Sequence, residues 1–457
     1  MSTPPQQPQW PQQPYPGMPQ QPPPQRNTGR TVRTIIVLVC VIAVAVIAVV
    51  AVMKNKSDSD GKAAPNPNAD GRTVQRKGFQ SGLDADPAPL SEGPPGAAVT
   101  YRGQRVVQAC NLLTVADIRR IGLLIEPDSL PNTVNFERSY IAPDGTAPLS
   151  TSSLGFETAD GGAINHCNFA FHGKGKENDT LGIAVSQTAY VPGANQSMTI
   201  AAEDYVRKAN IGNVQVYSYR RQADHPGDAV GDAVLRLGGV TVNVSFNLEA
   251  GGPAEKLNAV ATTIGHNLTA QVARPQGIRP IEYRSPVFTK SAVSACRLLT
   301  PAAFTAAFHT PASQLVTERP ATAVGTTTFP NDPQGYNNVY TSCDRGTGQD
   351  DPLSRTALEL QVTSYQSPAA ARKDIASQKQ LDGGVPTAAR LGDESIVELK
   401  APSPQFTGAM SIRKGRFVLS LHQEDPSHHP KGLSQAEANA ILTPAARLIL
   451  QRLGNQP

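Results

Sequence analysis

Between Thr34 and Met53 the chain reads TIIVLVCVIAVAVIAVVAVM, twenty positions without a charge. A helix rising ~1.5 Å per residue would cover ~30 Å over that length, about one hydrocarbon core. Val and Ile would favour a strand in water, but in lipid every backbone group must pair within its own segment, which selects a helix. The run exceeds the ~7–15 apolar residues of a signal peptide, and a polar stretch precedes it. One uncleaved membrane-spanning helix over residues 34–53 is therefore predicted.

Further along, the pattern changes to period two. LGIAVSQTAY (181–190) and LELQVTSYQS (358–367) alternate apolar and polar residues as half-buried strands do. In both 227–248 and 391–423 a Gly-Asp turn precedes strands joined by a glycine turn, at Gly238-Gly239 and at Lys414-Gly415. Each of these regions is followed by a helical period. Leu257, Val260, Ile264 and Leu268 share one face of 254–271. In 434–453, Ser434 and Glu437 form a capping-box pattern, and Pro444 is expected to kink the helix or restart it with Thr443 as cap.

The same order of elements thus occurs twice, and the cysteines mark it. Ala109-Cys110-Asn111-Leu112-Leu113-Thr114 recurs as Ala295-Cys296-Arg297-Leu298-Leu299-Thr300, an offset of 296 − 110 = 186. A second cysteine follows each, Cys167 after 57 residues and Cys343 after 47. Thr114 with Asp117, and Thr300 with Pro301, are helix-start signals. Of the three pairings that four cysteines allow, the repeat selects Cys110–Cys167 and Cys296–Cys343. The alternative is buried free thiols in a reducing compartment. Arginines 26, 30 and 33 before the apolar helix face lysines 54, 56 and 62 after it, so charge does not orient it. Paired cysteines need an oxidising space, which places the C-terminal region outside the cytoplasm and the N-terminus inside.

Composition adds boundaries and exclusions. Residues 1–33 are a Pro/Gln-rich tail with Pro-x-x-Pro spacings, expected to be disordered and cytoplasmic. Residues 54–100 read as a flexible stalk, 101–273 and 291–457 as the two domains, and 274–290 as a proline-bearing linker. With 41 Lys+Arg against 37 Asp+Glu the net charge is +4, and no run of like charge marks a nucleic-acid surface.

Candidate chemistry is sparse. No metalloprotease, nucleophile-elbow, Walker or dinucleotide motif occurs. Ser411-Ile412-Arg413-Lys414 matches Ser-x-x-Lys but falls in a strand, and no Lys-Thr-Gly accompanies it. His428-His429 with His422 could touch a metal, although a solvated loop is the simpler expectation. His166 beside Cys167 has Ser342 as its counterpart, which argues against a shared His/Cys mechanism. Asp228, Asp232, Asp393 and Glu394 lie near the Gly-Asp turns and are read as turn residues.

The Ala-Cys-x-Leu-Leu-Thr start, the later second cysteine, the Gly-Asp turn and the closing helix resemble actinobacterial extracytoplasmic domains. These are the Cys-x-Leu-Leu-Thr type found in small envelope lipoproteins and in sensor domains of membrane serine/threonine kinases. The resemblance spans roughly 105–273 and 290–455, but the chain has no lipobox and no kinase domain. It implies an α+β fold and a binding or accessory role. The expectation is therefore α+β: two tandem homologous domains, each an antiparallel sheet with packed helices and one disulfide, after a single transmembrane helix. The expected function is a non-enzymatic, membrane-anchored envelope protein that binds a ligand or partner. The alternatives are an envelope-active enzyme with an unrecognised site, or a transmembrane signalling component. No catalytic, cofactor or metal residue is expected. The partners expected are the cell membrane through residues 34–53 and envelope proteins or lipids, not nucleic acid.

Overall fold

A computed structural model describes residues 90–123, 125, 136–146, 165–171, 179–187, 205–219, 229–248, 254–329, 332–347, 356–381, 383–398, 408–424 and 433–454. In the first repeat and linker the strands are β1 (Leu90–Glu92), β2 (Thr100–Tyr101), β3 (Gln104–Arg105), β4 (Phe136–Ile141), β5 (Asn165–Phe171), β6 (Asp179–Gln187), β7 (Tyr205–Ile211), β8 (Val214–Tyr219), β9 (Ala229–Leu237), β10 (Val240–Leu248) and β11 (Ile281–Tyr283). In the second they are β12 (Leu315–Arg319), β13 (Gly325–Phe329), β14 (Asp332–Gly346), β15 (Ala357–Tyr365), β16 (Val385–Pro386), β17 (Glu394–Glu398), β18 (Gly408–Lys414) and β19 (Phe417–Glu424). The helices are α1 (Val115–Ile121), α2 (Ala254–Ala273), α3 (Ala295–Leu298), α4 (Pro301–Phe308), α5 (Pro368–Leu381) and α6 (Gln435–Gly454).

The fold is mostly sheet: fifteen antiparallel strands form one sheet, in the order β16-β17-β18-β19-β15-β14-β12-β4-β5-β6-β10-β9-β8-β7, with β13 added against β14. This corrects the expected pair of separate α+β domains after an anchor. The strand order mirrors itself about β4 and β12, so the duplication is present, but the two copies share one sheet. The physical reason is edge pairing. Each copy would otherwise end in an open strand edge, and β4 and β12 close both by pairing antiparallel, from Leu315 opposite Ile141 to Glu318 opposite Arg138.

The segment 34–53 expected to span a membrane lies outside the described residues. Among the described residues no helix is long and apolar enough to cross one. The long helices α2 and α6 are amphipathic and cover the sheet. The single-pass membrane assignment and the cell-membrane location expected with it are therefore corrected to what the described residues show, a mostly-sheet fold with no membrane-spanning helix among them.

Local sequence explains most elements. In β15, Leu358, Leu360 and Val362 are buried in the core shared with α3, α4 and α6, while Glu359, Gln361 and Thr363 alternate to the other face. The hairpins β9–β10 and β18–β19 turn at Gly238 and Gly415, with φ of 57° and 58°, values that favour glycine. Thr114 caps α1 in a full capping box with Asp117, and Thr300 caps α4 with Pro301 in its first turn. Ser434 and Glu437 exchange the hydrogen bonds of a capping box at the start of α6. The restart expected at Pro444 does not occur; α6 runs from Gln435 to Gly454. Leu442, Ala445, Ala446 and Ile449 around that proline are all fully buried, and this packing holds the helix through the lost hydrogen bond.

The disulfides are Cys110–Cys167 and Cys296–Cys343. Each ties the short turn before α1 or α4 to a central strand. A buried polar side chain two residues before the second cysteine reinforces each link. Asn165 accepts from Ala109 N and donates to Val107 O, and Thr341 Oγ1 accepts from Ala295 N and donates to Val293 O. Different side chains thus perform the same task at equivalent positions.

Candidate functional site

Residues 274–280, between the repeats, do not hang free. Gly93 N donates to Pro280 O, Gly96 N to Ile278 O and Gly277 N to Gly96 O, and β1 pairs with β11. Part of the expected stalk, residues 90–97, therefore clamps the start of the linker. The approach is close enough that a Cβ on Gly277 would sit 2.3 Å from Ala97 O. Arg138 adds a further tie, donating to Arg279 O at 2.7 Å.

Between this pinned strand, the turn after Cys110 and the last turns of α2 lies a cleft of about 510 Å³. Its walls are Asn111, Thr114, Asp117, Asn267, Ala270, Gln271, Ala273, Arg274, Gln276 and Arg279. Only the two alanines are apolar. Asp117 Oδ2 accepts from Thr114 N, from Thr114 Oγ1 at 2.8 Å and from Asn267 Nδ2 at 2.9 Å, and Arg120 pairs with the other oxygen. Asn267 also donates to Leu112 O, and Gln276 N donates to Gln271 Oε1. Nearby, Glu92 accepts from Val115 N; burial raises its pKa against that hydrogen bond and the charge of Arg279.

Asn111 stands out. It is only 4% exposed, and its Nδ2 donates to both Gln276 O and Gly277 O at 3.1 Å. Those two bonds fix the orientation of the amide. Its buried Oδ1 accepts no hydrogen bond among the described residues. Leaving a buried acceptor unmet costs roughly 1–3 kcal/mol.

The second repeat does not keep this arrangement. At the offset of 186 residues Arg297 stands for Asn111 and Ala303 for Asp117. Matching the buried faces of α2 and α6 places Arg452 at the position of Asn267, and Arg452 donates to Arg297 O. The capping threonines and disulfides are common to both copies; the cleft residues are not.

A second polar cluster lies on the sheet face opposite the disulfides. His166, Ser139, Thr317, Asp344, Glu359 and His422 are successive cross-strand neighbours on six adjacent strands. Burial, then the charge of Asp344, raises Glu359 to about 7. Burial lowers His422 to about 4. Burial also opposes the charge on Glu137, but hydrogen bonds from His166 and Arg319 hold it down to about 2. Ser411 on this face is fully buried and donates to Glu398 Oε1 at 2.5 Å, while the Lys414 side chain is about half exposed at 52%. The Ser-x-x-Lys string therefore does not assemble a nucleophile with its lysine. Asp393 accepts from Gly415 N and Arg413, which locks the β18–β19 hairpin, as a turn residue should. Asp232 lies within β9, and Asp228 and His428-His429 lie outside the described residues. Among the described residues no group of His, Cys, Asp and Glu could hold a metal ion.

No model of a protein family matches the chain, and no curated protein matches it. Among solved structures it is similar to DynU16, a protein of the dynemicin biosynthetic locus, at 11% identity over 69% of this chain and 99% of that one. The TM-score is 0.12, too low to relate the folds.

Proposed function

We propose that this chain is a binding protein without catalytic activity, whose first half holds a small polar ligand in the cleft beside Asn111 while the second half serves as scaffold. The observation that carries this reading is divergence between two otherwise equivalent copies. Caps, disulfides and strand order recur, whereas Asn111, Asp117 and Asn267 are replaced by Arg297, Ala303 and Arg452. The second copy keeps its folding devices, by the same or by other side chains, yet Arg297, Ala303 and Arg452 do not recreate the Asn111–Asp117–Asn267 arrangement.

The cleft volume falls in the ~300–1,000 Å³ range of small-molecule sites, though its lining is far more polar than most. Within it the one hydroxyl among the described residues, on Thr114, is committed to Asp117, and both serve the helix cap. That leaves no nucleophile beside a free base, which favours binding over catalysis. The resemblance of the Ala-Cys-x-Leu-Leu-Thr segments to sensor-type domains agrees with a binding role.

The test is ligand-observed NMR of the full chain with a mixed set of anionic, neutral and cationic polar compounds, repeated on Ala270→Trp. Ala270 is an exposed helix residue on the cleft wall, so the indole fills the cleft without entering the core. Hits lost in the variant support the reading. A hit list identical for both proteins refutes it.

A further inference from the structure

We infer that the ligand of this cleft is a small carboxylic acid with an N–H beside its carboxylate, as in an N-acylated amino acid or a peptide C-terminus; this rests on the cleft being a binding site. Three observations converge on that chemistry.

The first is charge. Among the described residues Asp117 is the sole acid in the lining, and its oxygens are taken up by Thr114, Asn267 and Arg120. Arg274 and Arg279 also line the cleft, and among the described residues neither guanidinium makes a hydrogen bond or ion pair. Two guanidinium forks without a hydrogen-bond partner, of which that of Arg279 also acts on Glu92 by its charge, suit a planar carboxylate, which each can bind through paired N–H groups.

The second is Asn111. Its amide cannot turn over without losing both Nδ2 bonds, so Oδ1 stays an acceptor in want of a donor. A ligand N–H would meet that need, which a bare carboxylate would not. A site whose buried polar group is left unpaired by the wrong ligand discriminates strongly against it.

The third is what the lining lacks. Ala270 and Ala273 offer little apolar area, so burial of an acyl chain or aromatic ring cannot supply the affinity. Recognition has to come from the amides of Asn267, Gln271 and Gln276 together with the arginines.

Isothermal titration calorimetry on the full chain tests this with three probes: N-acetyl-Ala-Ala, its C-terminal amide, and inorganic phosphate. The acid should bind the wild type, and the amide at least tenfold more weakly. Phosphate should bind more weakly than the acid. Arg274→Gln/Arg279→Gln, at an exposed and a partly buried position outside the core, should abolish the difference between acid and amide. Equal binding of acid and amide, phosphate binding as tight as the acid, or no binding of the acid at millimolar concentration would each overturn the inference. If neutral or cationic compounds instead give signals that Ala270→Trp removes, the cleft remains a binding site and only its assignment to carboxylates fails. If no compound depends on Ala270, the binding reading fails as well.

Discussion

The seam between the two copies contains a buried ion pair whose loss should be costly in a specific way. Arg138 on β4 and Glu318 on β12 have side chains only 3% and 7% exposed. Arg138 donates Nε and Nη2 to Glu318 Oε2 at 2.9 and 2.7 Å, and Ser294 Oγ donates to Oε1 at 3.1 Å. Substituting Glu318→Met leaves the Arg138 charge buried with its carboxylate gone, which typically costs ~3–5 kcal/mol. That is a large part of the ~5–15 kcal/mol by which proteins are stable. Removing both charges in Arg138→Met/Glu318→Met takes away the attraction and the desolvation cost together. The double variant should therefore recover at least half of what the single variant loses. Urea unfolding followed by circular dichroism measures both. A double variant that loses the sum of the two single losses would show that the partners act independently, and would refute the argument.

Three further outcomes are expected. Cys110→Ser/Cys167→Ser and Cys296→Ser/Cys343→Ser open loops of 57 and 47 residues. Loop-closure entropy predicts about 4 kcal/mol lost in each case, and unequal urea midpoints for the two would contradict a chain-entropy origin. Glu359 has a folded pKa raised from 4.5 to about 7, so its contribution to stability is fully present below pH 4.5 and is lost as pH rises through about 7. Glu359→Gln should raise stability at pH 8 by a few kcal/mol and leave it little changed at pH 4, as read from melting curves at both pH values. Gly277→Ala would bring a Cβ to 2.3 Å from Ala97 O, so the strand clamp must shift. Faster amide exchange at Gly93 and Gly96 would report it, and unchanged exchange would count against the clamp.

Local features were legible in the sequence where they depend on neighbours in the chain. Thr114, Thr300 and Ser434 announce their helices because a cap needs only the next three residues. The glycine turns at Gly238 and Gly415 declare their hairpins for the same reason. The pairing of β4 with β12 was not legible. It joins residues about 180 positions apart, and nothing in either strand says which edge it will meet. Separate domains were therefore expected where one sheet forms. The cleft is illegible for another reason: the strings that the repeats share carry no trace of it. Asn111 occupies the variable position of Ala-Cys-x-Leu-Leu-Thr, and Asp117 looked like a cap alone. The signal lay in the differences, Asn111 against Arg297 and Asp117 against Ala303. Asn267 belongs to the same wall.

The β4–β12 seam also decides what this chain can be divided into. Cutting between the repeats would release two pieces that each bare a full strand edge, one displaying Arg138 and the other Glu318, each without its partner. Each bared edge would complement the other, so separated halves would be drawn to reassemble or to exchange partners between molecules. In this protein the copied module has become half of a larger folding unit and is no longer a portable part.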